Sequence, residues 1–146
     1  MDIKRLIIGS LVGGVTLYVF GYLIWDLAFA DFFAANAGSA TGVERDPPLL
    51  WAVALGVVAF GALLTLAIET RAGSATIVDG VRIAAIVGFL MWFSVDFIRY
   101  GFSNVENLTA TIVDPLLEII HAGIAGGVIA AVLGKIAGTQ EDTQTE

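Results

Sequence analysis

Residues 115–136 read PLLEIIHAGIAGGVIAAVLGKI, an apolar run that opens on a proline and carries Glu118 and His121 in its first third. A helix rises about 1.5 Å per residue and a bilayer core is about 30 Å thick, so roughly 20 such residues make a membrane span. Three further stretches, 6–25, 49–68 and 81–98, share this length and character. With 58% hydrophobic residues in a chain of 146 and a mean hydropathy of +0.88, four spans leave only short connections. The predicted fold class is all-α, an integral membrane four-helix bundle. Residues 1–137 form one transmembrane domain, and 138–146 form an acidic cytoplasmic tail with Glu141, Asp142 and Glu146.

Composition narrows the chemistry. Cysteine is absent, which excludes disulfides, thiolate catalysis and cysteine-ligated clusters. The net charge is −7 and the few basic residues form no patch, so no nucleic-acid partner is expected. None of the 17 glycines belongs to a phosphate-binding loop. The single histidine has no serine at helical spacing. No catalytic residue and no cofactor are expected, and a non-enzymatic role is favoured. Lys4 and Arg5 precede the first span as they would in a signal peptide, but an apolar region of 20 residues exceeds the usual 7 to 15 or so and reads as a retained span.

Cationic residues set orientation, because Lys and Arg stay on the cytoplasmic side during insertion. Lys4, Arg5, Arg71, Arg82 and Lys135 fall on one side of the bundle and only Arg45 and Arg99 on the other. Both termini are therefore expected in the cytoplasm, with Trp25, Trp51 and Tyr100 in an outer aromatic belt.

At an offset of 67 residues, Gly21-Tyr22-Leu23-Ile24-Trp25 lies over Gly88-Phe89-Leu90-Met91-Trp92, and Pro48-Leu49-Leu50 over Pro115-Leu116-Leu117. Gly13 and Gly56 lie over Gly80 and Gly123. The pattern predicts two tandem parallel helical-hairpin repeats related by a pseudo-twofold axis along the membrane normal. Asp46-Pro47 and Asp114-Pro115 each read as a helix start, an N-cap acceptor followed by proline at the first helical position. Residues 27–35 either continue the first helix or lie along the interface, and Glu69 reads as a boundary charge. Gly9 and Gly13, then Gly123 and Gly127, then Gly126, Ala130 and Gly134 form ridges of small residues at four-residue spacing. Such ridges let helices approach within the bundle or across an oligomer interface.

The informative residues are polar ones inside apolar surroundings: Asp26, Asp96, Arg99, Glu118 and His121. Charge at membrane depth costs a few kcal/mol, about 2.5–3.5 on insertion scales, so such residues face inward and pair. The topology puts all five in the outer half, where one cluster is expected. Asp114, Glu118 and His121 share a helical face that turns apolar at Ala125, Val128 and Val132. This describes a vestibule closed partway across. Asp96 and Arg99, three residues apart, can pair along their helix. Glu118-x-x-His121 also matches the element that dimetal bundles use. It occurs once, so Glu118 and His121 would be the ligands of any metal, with Asp96 and Asp26 the only further candidates. Asn107-Leu108-Thr109 matches the N-glycosylation triplet.

Ala30-Asp31-Phe32-Phe33, Asp46-Pro47-Pro48, Gly88-Phe89-Leu90-Met91-Trp92, Asp96-Phe97, Tyr100-Gly101, Asn107-Leu108-Thr109-Ala110 and Asp114-Pro115-Leu116 together resemble a group of small, uncharacterised four-helix bacterial membrane proteins. The resemblance spans 6–134. It implies the bacterial cytoplasmic (inner) membrane and transfers no activity or catalytic residue. From sequence, the first-ranked role is a structural or accessory bundle that self-associates or joins a membrane complex, with the lipid bilayer as its surroundings. The alternative is a small transporter or ligand-binding membrane protein with a polar, proton-linked site in the outer half. A metal-dependent membrane enzyme ranks last.

Overall fold

In the computed structural model, residues 2–70 and 76–144 are described, with side chains as far as residue 136. Arg71 and the side chains of Glu141, Asp142 and Glu146 lie outside the described residues. The described residues form five α-helices: α1 (Ile3–Gly21), α2 (Ala30–Ala35), α3 (Leu50–Glu69), α4 (Ile77–Phe102) and α5 (Leu108–Gln144). Between α1 and α2 the chain winds as a π-helix over Tyr22–Ala28, so residues 27–35 neither simply continue α1 nor form one interfacial helix. α5 carries the backbone to Gln144, so the expected acidic tail begins as helix.

Among the described residues, four helices have the length and composition to cross a membrane: Ile3–Ala28, Leu50–Glu69, Ile77–Phe102 and Leu108–Ile136. The outward faces agree with that reading. Ile7, Leu11, Val15 and Val19 form a stripe at four-residue spacing on α1, each about half exposed or more, and Ile86 and Leu90 continue the pattern on α4. A water-soluble bundle would place polar groups on these faces. By composition this is a multi-pass membrane protein.

The helices alternate up and down in a ring. α1 packs chiefly on α3, and α4 on α5; α1 also meets α5, α3 meets α4, and α3 touches α5 across the centre. This ring order is the ordinary one of an up-and-down four-helix bundle. α5 is the axis of the packing, with 56% of its span buried against 33% or less for the others.

Glycines set the approach distances. A Cβ on Gly61 would stand 2.6 Å from the Ser10 carbonyl oxygen and 2.8 Å from the Gly14 nitrogen, so α1 and α3 touch backbone to backbone. Gly80 and Gly126 do the same for α4 and α5, where each Cβ would strike the other's carbonyl. Of the residues expected to mediate packing, Gly9 abuts Thr65, Gly13 abuts Gly61 and Ile129, and Gly123 and Gly127 face Val81. Gly134 makes no such approach within the bundle, as nothing among the described residues lies within 4 Å of its Cβ position. Leu17, Leu64, Ile68, Ala84, Ala125, Ile129 and Leu133 fill the core.

At the end with the chain's N-terminus, Arg5 forks onto Glu69 with N–O distances of 2.6–3.2 Å and donates to the Leu133 carbonyl at 3.1 Å. Glu69 is thus more than a boundary charge: Arg5 of α1 bonds it on α3 and the Leu133 carbonyl on α5, joining the three helices. At the opposite end the two interhelical loops pair. Gly38 N–H donates to the Val105 carbonyl, Ala40 N–H to that of Asn104 and Asn107 N–H to that of Asn36.

Two expected helix starts are corrected. α3 begins at Leu50 after Leu49 rather than at Asp46-Pro47, where the peptide bond is cis. α5 begins at Leu108, with Asn107 Oδ1 accepting from Ala110 N–H at 3.0 Å. Asp114 therefore caps nothing, and Pro115 lies inside the helix. Asn107 also donates its amide to Asn36 Oδ1 at 3.0 Å, so the carboxamide of the glycosylation triplet is engaged in structure.

Candidate functional site

The site grows from one face of α5. Asp114, Glu118 and His121 project from successive turns, and Glu118 and His121 are 2% and 6% exposed. His121 Nδ1 stands 2.9 and 2.8 Å from the two Glu118 oxygens, and Nε2 stands 2.9 Å from the Leu17 carbonyl oxygen on α1. A carbonyl only accepts, so Nε2 carries a proton. A second proton lies between Nδ1 and the carboxylate, on one side or the other. The pair is neutral as a unit in either form.

The π-helix brings Trp25 into this group. Its indole N–H donates to Asp114 Oδ1 at 2.5 Å, and its ring meets the His121 imidazole edge-on with centroids 4.9 Å apart. Widening a helix by one residue per turn re-aims side chains, and such turns recur at functional sites. Gly21 lies beside the imidazole, its Cβ position at ordinary van der Waals distance, 3.5 Å, from His121 Nε2.

α4 contributes Trp92, Asp96 and Arg99. Arg99 pairs with Glu106 in the loop before α5 and stands 3.8 Å from Asp96 Oδ1. Asp96 is 1% exposed, and neither of its oxygens has a hydrogen-bond partner among the described residues. The Asp114 carboxyl lies beside it. Trp92 Nε1, buried next to Glu118, also lacks a partner in hydrogen-bond geometry.

These groups surround a cavity of about 470 Å³. Its walls come from α1, the π-helix, α3, α4 and α5, and it reaches from Pro48 and Glu106 at the loop end to Leu17, Val57 and His121. The lining runs from Leu17 to Asp26 along the first span, so the cavity extends roughly 13 Å at about 1.5 Å per residue. Tyr18, Tyr22, Trp25 and Trp92 give it aromatic walls.

The sequence-predicted residues divide accordingly. Arg99, Glu118 and His121 line the cavity, and Asp96 lies behind it against Arg99. Asp26 lines the wall but is exposed, with no ion pair or hydrogen bond among the described residues, so it stands apart from the network. The metal reading loses its ligands: Glu118 and His121 bond each other, both imidazole nitrogens are engaged, and the described residues hold no group of three metal-ligating side chains. Sequence reasoning assigned Asp114 to a cap and Trp25 to the interfacial belt, and left Glu106 unassigned. The Asp114, Glu118 and His121 stripe was the signal that could have recovered Asp114.

Comparison with protein-family models, with curated proteins and with solved structures finds no match to this chain.

Proposed function

We propose that this protein binds a small polar molecule in the cavity at the loop end of the bundle, which raises the second-ranked sequence reading above the accessory role. The observation that carries this is a space of about 470 Å³, within the usual range for small-molecule sites, whose apolar and aromatic walls hold a few convergent polar groups. Binding is favoured over transport because, among the described residues, Leu64, Ile68, Ile129 and Leu133 pack the other half of the bundle as an apolar core.

We further propose the bacterial cytoplasmic membrane, on the family resemblance, and both termini in the cytoplasm, on the excess of Lys and Arg at that end. The cavity then opens outward. Native mass spectrometry of the protein released from its own membranes tests the binding role, comparing wild type with Glu118→Gln. A co-released small mass that is diminished in the variant is expected. Bare protein, homo-oligomers or an added protein subunit in both samples would return the accessory bundle to first place.

A further inference from the structure

We propose that the ligand of this cavity is an organic cation, an amine or quaternary ammonium compound with an apolar body; this rests on the cavity being a binding site. The first argument is charge balance. Arg99 is engaged by Glu106, and the Glu118–His121 pair is neutral as a unit. The charges that remain are carboxyl groups: Asp114 and Asp26 on the wall, and Asp96 beside Asp114. Asp114 receives only the uncharged Trp25 N–H. Asp96 receives no hydrogen bond and has its nearest cation 3.8 Å away. One proton shared by Asp96 and Asp114 still leaves the wall negative. An anion would be repelled here, and a neutral guest would leave the acids uncompensated at membrane depth.

The second argument is the wall itself. Tyr18, Tyr22, Trp25 and Trp92 line the space, and aromatic faces attract desolvated ammonium groups through the ring quadrupole. The third is size. A bare metal ion would leave most of the cavity unfilled and would find no set of three ligating groups among the described residues. An ammonium head near Asp114 with an aliphatic or aromatic body against Leu17 and Val57 uses both parts of the lining.

The test uses the full chain in phosphatidylglycerol nanodiscs, whose headgroups carry no ammonium group, followed by tryptophan fluorescence. Trp51 is 68% exposed and away from the cavity, so Trp51→Phe supplies a background in which Trp25 and Trp92 report alone. The probes are choline and 3,3-dimethylbutan-1-ol, which have the same shape and differ in charge. Choline should give a saturable change at a concentration at least tenfold below that of the alcohol. Asp114→Asn, which retains an oxygen acceptor for Trp25, should weaken choline at least tenfold. Equal effects of the two probes, or no saturable change with choline, would overturn the cation assignment. If Asp114→Asn does not fold, the ratio between the probes in the otherwise wild-type chain decides alone. A co-released neutral or anionic molecule, together with failure of choline, would refute the cation and leave the binding site standing. Failure of choline with no co-released molecule would remove both.

Discussion

His121 holds the site together through its two nitrogens. One donates to a backbone carbonyl of another helix and the other shares a proton with Glu118, so the side chain couples α1 to α5 as well as satisfying a buried acid. Removing one member of a buried charged pair strands the other, at a cost of about 3–5 kcal/mol, whereas replacing both by apolar groups is often close to neutral. His121→Ala is therefore expected to lose about that much stability in detergent. Glu118→Gln, which keeps size and can donate its amide to Nδ1, should lose about 1 kcal/mol, the scale of one ordinary hydrogen bond. Replacing Glu118 by Met and His121 by Leu together should leave the fold intact while abolishing ligand retention. Denaturation midpoints for the three variants check this. A His121→Ala protein as stable as Glu118→Gln would show that the imidazole contributes no cross-helix restraint.

At the scale of elements, the four spans were legible because membrane helices declare themselves by length and apolarity, which depend little on neighbours. Their boundaries were less so. The Asp-Pro signal at 114–115 was read by the rule for soluble helices, in which proline inside a helix costs about 3 kcal/mol. In a membrane bundle, neighbouring groups can satisfy the freed carbonyl, and α5 instead begins seven residues earlier at Leu108, capped by Asn107. The π-helix at Tyr22–Ala28 had no signature in the composition of that segment, and it is the element that turns Trp25 inward. Glycine ridges were legible as a class but not residue by residue, since spacing does not reveal which face meets a partner. Gly126→Ala should cost about 1–3 kcal/mol through overpacking against Ala84 and Gly80. Gly134→Ala, with open space around it, should be neutral or stabilising by up to about 1 kcal/mol through helix propensity. Thermal unfolding of the two variants in the same detergent separates these outcomes, and equal destabilisation would contradict the assigned packing faces.

The whole molecule has two ends of different construction. One is tied by Arg5, Glu69 and the Leu133 carbonyl above a filled core. The other is closed by paired loops over a cavity with ionisable walls. The sequence identified most of the polar residues at the second end but not the space among them, because a cavity depends on how closely whole helices approach. Natural absence of cysteine makes orientation directly measurable. A cysteine at Thr41 should react with a membrane-impermeant maleimide on intact cells, and one at Asp2 only after permeabilisation; the reverse pattern would invert the proposed topology. The central claim is that the cavity is a site occupied in the native membrane. A density map of the protein extracted directly into nanodiscs, without detergent, tests it most directly. Compact non-protein density against Asp114, between Trp25 and Trp92, is the predicted result. Trp25 and Trp92 packed together with Asp96 bonded to a protein donor and no space between them would contradict it.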